Sequence, residues 1–340
     1  MRLRTPYMRC VVTLTIPVFF LFTTLCLVLA QPEQNRVPIS KIVVLNVDEA
    51  SSGWIDKNLF TRFFMDEMRK INSSIEVHVH ILYRIEDWEK LLKEAPRAIM
   101  VVNSHGEIIP IPSSYNADWC SFLGDLARLI EDKGWVLVNP IGYAFWGVGN
   151  AVDPQVGSAK IIGVNGLNCF MWGVGLVASA WPPLPEDYMN GQFNDLSKKL
   201  FDILGYEIGY DIPESIPIHR PLTVFNGTTE VLPLWALIEV KGENVTCYGF
   251  AAYKIGRGYL IWGGLHHIAP GTKVPEDITA RLTAATIAYF IEPDILFMPA
   301  APKKTPLKPS TVILSIFLVV LATISLYILK TSGLIGRRPK

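Results

Sequence analysis

Short, continuously apolar runs alternate with stretches of helical period through the first half of the chain. Residues 41–48 (KIVVLNVD) are β-branched and apolar at nearly every position, the pattern of a strand covered on both faces. From Asp56 the period changes, placing Phe60, Phe63, Phe64 and Met68 on one helical stripe. Residues 76–83 (EVHVHILY) alternate and predict a second strand with His78 and His80 on the same face. A short helix over 86–92, a third buried strand over 97–103 and a helix through Phe122, Leu123, Leu126, Leu129 and Ile130 follow. Residues 134–139 (GWVLVN) predict the fourth strand. Strand and helix alternating in this way point to an α/β domain with a doubly wound, mostly parallel sheet.

The second half is less regular. Residues 159–164 read as a strand, and Phe193, Leu196, Leu200, Phe201 and Leu204 mark a helix. Three strands follow over 234–240, 247–253 and 259–265, the last two joined at hairpin distance by Gly256-Arg257-Gly258. A final helix runs from Pro275 or Glu276 to Phe290.

Both ends of the chain are apolar and predict its topology. Arg2, Arg4 and Arg9 precede an apolar run over 11–30, so residues 1–30 read as a secretory signal peptide or a signal anchor. Residues 311–329 carry no charge and match the length of a transmembrane helix. The basic tail 330–340, with Lys330, Arg337, Arg338 and Lys340, reads as cytoplasmic. Between them, residues 38–292 form the domain and 293–310 a Pro/Lys-rich stalk. The expected location is the cell membrane, with the domain outside and a single C-terminal span. Three sequons, at Asn72, Asn226 and Asn244, are the candidate glycosylation sites that this topology requires to be exposed.

Composition narrows the chemistry. Lys+Arg and Asp+Glu are both 31, so no charge excess argues for nucleic acid. The turn after the first strand (48–53) lacks both the dinucleotide and the phosphate-loop glycine patterns, and no cofactor is expected. Cys120, Cys169 and Cys247 lie in the domain, an odd number without a CxxC, which leaves room for one disulfide and indicates no zinc site. His78 and His80 have the spacing of a metal pair, but a solvated or helix-covered strand face accounts for them, and no metal is expected.

In an open parallel sheet, ligands bind beyond the carboxyl ends of the strands. Those ends carry Asp48 and Glu49, then His105 and Glu107, then Asn139, and finally His266 and His267. This mixed set of carboxylate, imidazole and amide suits a polar ligand such as a carbohydrate. Trp146, Trp172 and Trp181, with Pro182 and Pro183, offer a contact surface for a partner.

The segment from Ala252 to His266 (AYKIGRGYLIWGGLH) resembles the end of class I glutamine amidotransferase-like domains. There a strand, a glycine-rich hairpin, a second strand and a small-residue/His turn lead to a last helix. The resemblance implies a flavodoxin-like fold over roughly 41–291. Active members place a cysteine at a GxCxG elbow, but around Cys169 this chain has Leu167 and Met171 where the glycines belong. The strand followed by His105-Gly106 also resembles the start of the catalytic dyad of caspase-like proteases, whose cysteine is missing after the next strand. Both departures imply a non-catalytic ligand- or partner-binding module or a membrane-complex subunit. The alternative is a hydrolase of amide, ester or glycosidic bonds using His105 with Cys169 or a carboxylate.

Overall fold

Ile42 to Leu45 have no exposed surface, because β1 (Lys41–Leu45) lies inside a sheet with helices on both faces. The structure is a computed structural model, and it describes residues 39–72, 77–115, 118–153, 157–180, 189–226, 229–231, 233–241, 246–265 and 273–297. β1 pairs in parallel with β2 (Val79–Leu82) and β3 (Ile99–Asn103), and β3 pairs in parallel with β5 (Val136–Ile141). Side chains alternate across the strands. Ile42, Val44, Met100 and Val138 therefore pack with Phe60, Phe64 and Met68 of α1 (Lys57–Asn72) and with Leu282 and Ile287 of α6 (Glu276–Ile291). Val43, Leu45, Val101 and Leu137 point the other way, toward Trp88 of α2 (Ile85–Glu94) and Phe122 and Leu126 of α3 (Trp119–Lys133). The caps follow local chemistry: Asp118 accepts from the Ser121 N–H at 3.1 Å, and Gly134 ends α3 in the left-handed region.

Beyond β5 the expected doubly wound, mostly parallel sheet does not continue. β5 pairs in parallel with β15 (Gly258–Leu265), but β15 then joins antiparallel strands. These are β9 (Met189–Phe193), β10 (Ser215–Ile218), β13 (Trp235–Lys241) and β14 (Thr246–Ile255). The pairings β14–β13, β13–β9, β9–β10, β10–β15 and β15–β14 close a ring. Straight strands cannot alternate in direction around a ring of five, so at least one must bend. β15 shifts register between Trp262 and Leu265, where Gly264 has φ +70°, and β14 carries Phe250 at φ +45°. The ring is narrow: a Cβ on Gly191 of β9 would lie 2.4 Å from Ile238 Cγ2. Among the described residues, nine of the fourteen strand pairings are antiparallel.

The fold class is thus a mixed α/β architecture with a closed antiparallel barrel, not a flavodoxin-like sheet. This corrects the amidotransferase-like expectation, since the glycine-rich hairpin β14–β15 on which it rested is a wall of the barrel. α5 (Asp195–Leu204) carries the predicted Leu196, Leu200, Phe201 and Leu204, but Phe193 belongs to β9, and Asn194 between them is the N-cap, accepting from the Ser197 N–H at 3.0 Å. Outside the barrel, β11 (Leu222–Asn226) pairs with β14, with β12 (Thr229–Val231) and with β8 (Val177–Ala180).

A second small sheet consists of β4 (Ile108–Pro110), β6 (Gly147–Asp153) and β7 (Gly157–Ile161). The segment after β7 forms α4 (Asn165–Trp172). Residues 293–297, at the start of the expected stalk, form a 3-10 turn; the rest of the stalk lies outside the described residues. Among the described residues no helix is long and apolar enough to cross a membrane. The transmembrane helix expected over 311–329 falls outside the described residues, as do the segments 1–30 and 330–340.

Candidate functional site

The carboxyl ends of β1, β3 and β5 do converge, and the buried polar groups there are held by one another and by the backbone. Asn103, at the end of β3, donates from Nδ2 to Asn139 Oδ1 at 2.9 Å and to the carbonyls of Gly106 and Ile108. Its Oδ1 accepts from the His105 N–H at 3.1 Å, and Asn139 Nδ2 donates to the Ile141 carbonyl at 2.8 Å. Both amides are buried, so each atom left without a partner would carry a desolvation cost. The result is a clamp between two strand ends.

His105 is wholly buried. The Ser51 carbonyl, 2.9 Å from Nδ1, can only accept, so Nδ1 carries the proton and Nε2 accepts from the Val47 N–H at 3.0 Å. Burial pushes the imidazole down to about 4, with the nearby Lys57 ammonium acting in the same sense and the Ser51 bond opposing it. The ring is therefore neutral at neutral pH, with both nitrogens engaged. Lys57 adds to the same loop, donating from Nζ to the Val47 carbonyl and to the Ala50 carbonyl at 2.9 Å. Its pKa is lowered by burial against the pull of Asp48 and Glu49. Those two carboxylates are themselves exposed.

Glu107 turns inward and is 4% exposed. Its Oε1 accepts from the Tyr143 N–H at 2.6 Å. Burial raises its pKa, opposed by the Tyr143 bond, the Arg220 charge and a hydrogen bond from Trp54. Gly142, at φ +52°, allows this approach, because a Cβ there would lie 2.0 Å from Oε1. Tyr143 meets Trp262 edge to face at 5.6 Å, and the Trp262 indole donates to the Arg220 carbonyl at 2.6 Å. Trp54 is half exposed and held at φ +67°, an uncommon conformation for a non-glycine residue. No spacing in the sequence singles out Trp54, Lys57, Tyr143 or Arg220, since Trp54, Tyr143 and Arg220 come from separate loops and Lys57 from the start of α1.

The crevice expected beyond the strands is filled. Gly53 bridges Gly106, the Gly53 N–H donates to the His105 carbonyl at 2.8 Å, and the Gly147 N–H donates to the Glu107 carbonyl at 3.1 Å. The 46–56 loop and the second sheet thus cover the strand ends. Cys169 is disulfide-bonded to Cys120, tying α4 to the first turn of α3, while Cys247 is buried and outside that disulfide. His105, Glu107 and Asn139 are brought together; Asp48 and Glu49 face solvent, and Cys169 lies in α4. His266, His267, Asn244, Trp181, Pro182 and Pro183 lie outside the described residues. Asn72 ends α1 and Asn226 ends β11, with their side chains outside the described set. His80 on β2 and His78 just before it are exposed, and no group of three or more metal-ligating side chains occurs among the described residues.

A cleft of about 540 Å³ lies elsewhere, between α2 and α3, lined by Glu89, Lys93, Tyr115, Asp125, Arg128 and Lys133. Its charges pair with one another, Lys93 with Glu89 at 2.7 Å and Arg128 with Asp125. The Tyr115 hydroxyl donates to Asp125 at 3.0 Å, and the phenol is pushed up to about 12 by burial and by that carboxylate.

No known family and no curated protein matches the chain. Among solved structures it is similar to a ThuA-like protein from Bacteroides uniformis, with a TM-score of 0.31 and 11% identity over 76% of this chain and 95% of that one. A ThuA-like protein from Parabacteroides merdae gives a TM-score of 0.30 and 8% identity over 79% and 94%. Likeness at this level carries no argument about activity.

Proposed function

We propose that the chain is a non-catalytic binding module carried at the outer side of a cell membrane, where it engages a partner. The observation that carries this reading is His105. With one ring nitrogen bonded to Ser51 and the other to Val47, the imidazole that a hydrolase would use holds a loop instead. Cys169, the other candidate, is committed to Cys120. A disulfide is itself supported by an oxidising, extracytoplasmic compartment. The charge-then-apolar N-terminus and the uncharged run over 311–329 of the sequence favour the same placement.

The test compares the parent protein with His105→Ala and Cys169→Ala on panels of amide, ester and glycosidic substrates. The module reading expects no turnover by any of them. Turnover by the parent that His105→Ala abolishes while the fold persists would establish the hydrolase instead.

A further inference from the structure

We infer that the face formed by β7 and α4 docks on the lipid bilayer itself, with Trp172 as its anchor, an inference that rests on the membrane placement proposed above. Residues 161–180 contain no charged side chain. On this stretch three apolar residues face solvent: Ile161 at 54%, Val164 at 43% and Trp172 at 61% exposure. Val164 caps α4 and Trp172 ends it, two turns apart on one side of the helix, with half-buried Asn168 between them. Trp146 and Ile162 flank them: the Ile162 N–H donates to the Trp146 carbonyl at 2.9 Å. A Cβ on Gly175 would meet nothing within 4 Å, so the surface is open there.

A lone exposed apolar residue needs no explanation, but three within twelve consecutive uncharged residues mark a candidate contact face. An exposed indole and two exposed aliphatic side chains on one uncharged stretch suit the interfacial zone of a bilayer, where the ring is buried and its N–H stays wet. The covalent tie from Cys169 to Cys120 holds α4 on α3, so the patch is presented without an ordering cost at binding.

Chain length favours lipid over a protein partner. The last described residue is Phe297, and the uncharged run starts at Thr311. The intervening residues span at most roughly 40 Å at about 3.1 Å each. A tether of at most that length raises the effective concentration of the surface at the patch, so three side chains suffice where a free domain would not bind.

The full chain is reconstituted in phosphatidylcholine nanodiscs, with or without acyl-chain bromine, and its tryptophan fluorescence is compared with that of Trp172→Phe. Brominated lipid is expected to quench the parent, and Trp172→Phe to lose about half or more of that quenching. The double substitution Ile161→Ser with Val164→Ser is expected to weaken the nanodisc-dependent hydrogen-exchange protection of 161–176, with near-native circular dichroism confirming the fold. Equal quenching in parent and Trp172→Phe overturns the inference. Protection of 161–176 that arises only when another membrane protein is added also overturns it, in favour of a protein partner. Digestion of the domain by protease added outside intact cells reports on the outer-side placement separately. If that fails, the proposed function fails with it; if it succeeds while quenching does not change, only the docking face is wrong.

Discussion

The His105 ring accepts the Val47 N–H at Nε2, 3.0 Å away, and so the third strand's end holds the loop that follows the first. A protonated ring cannot accept that bond. Because burial lowers the folded pKa to about 4 from an ordinary 6.5, the unfolded chain binds the proton first as pH falls. The contribution is fully present above pH 6.5 and is lost as pH falls toward 4. That window corresponds to roughly 3 kcal/mol at 1.36 kcal/mol per unit. Urea unfolding from pH 4 to 8 should show this slope, and His105→Gln should flatten it. Glu107, with its pKa raised by burial, acts in the opposite sense, losing stability as pH rises through its folded pKa.

The Cys120–Cys169 bond closes a loop with a sequence separation of 49. Chain-entropy reasoning gives such a bond about 4 kcal/mol. Reduction, or Cys120→Ser with Cys169→Ser, should lower the melting temperature by several degrees, measured by calorimetry with and without reductant. An unchanged melting temperature would mean the bond is absent.

Gly142→Ala places a methyl in the space of Glu107 Oε1 and at a left-handed φ. A cost of about 2–4 kcal/mol is expected. Part of it should return in the Glu107→Ala background, because the clash is removed while the backbone strain stays. A double-mutant cycle in urea measures the recovered part.

Gly191→Ala should cost about 1–3 kcal/mol by overpacking the barrel against Ile238 and Ile218. Ile238→Ala should recover some of it if the barrel is closed. Full additivity of the two substitutions would argue that β9 and β13 do not meet.

Much of the local structure was legible in the sequence. β1, β3, β5, β13, β14 and β15 are strongly apolar runs, and α1, α3 and α5 show their period, so short-range burial patterns located them. β9 (MNGQF) and β10 (SIPI) carry a glycine or a proline and little apolar length, and neither stood out. Without them the barrel was invisible, and the alternation of the first half suggested a parallel sheet throughout. The convergence of His105, Glu107 and Asn139 was also legible, because strand ends share an edge. Whether that edge is open was not.

What the sequence determined by itself is what depends on neighbours a few residues away: strand, helix, hairpin, charge balance and the apolar ends. The tertiary structure decided the rest. Cys120 meets Cys169 only because α4 packs on α3, and Val47 and Ser51 reach His105 from 58 and 54 positions away. Those contacts turn the candidate imidazole and thiol into struts. The physical reason is that the role of a polar side chain is set by which groups satisfy it when water is excluded, and those groups come from distant parts of the chain.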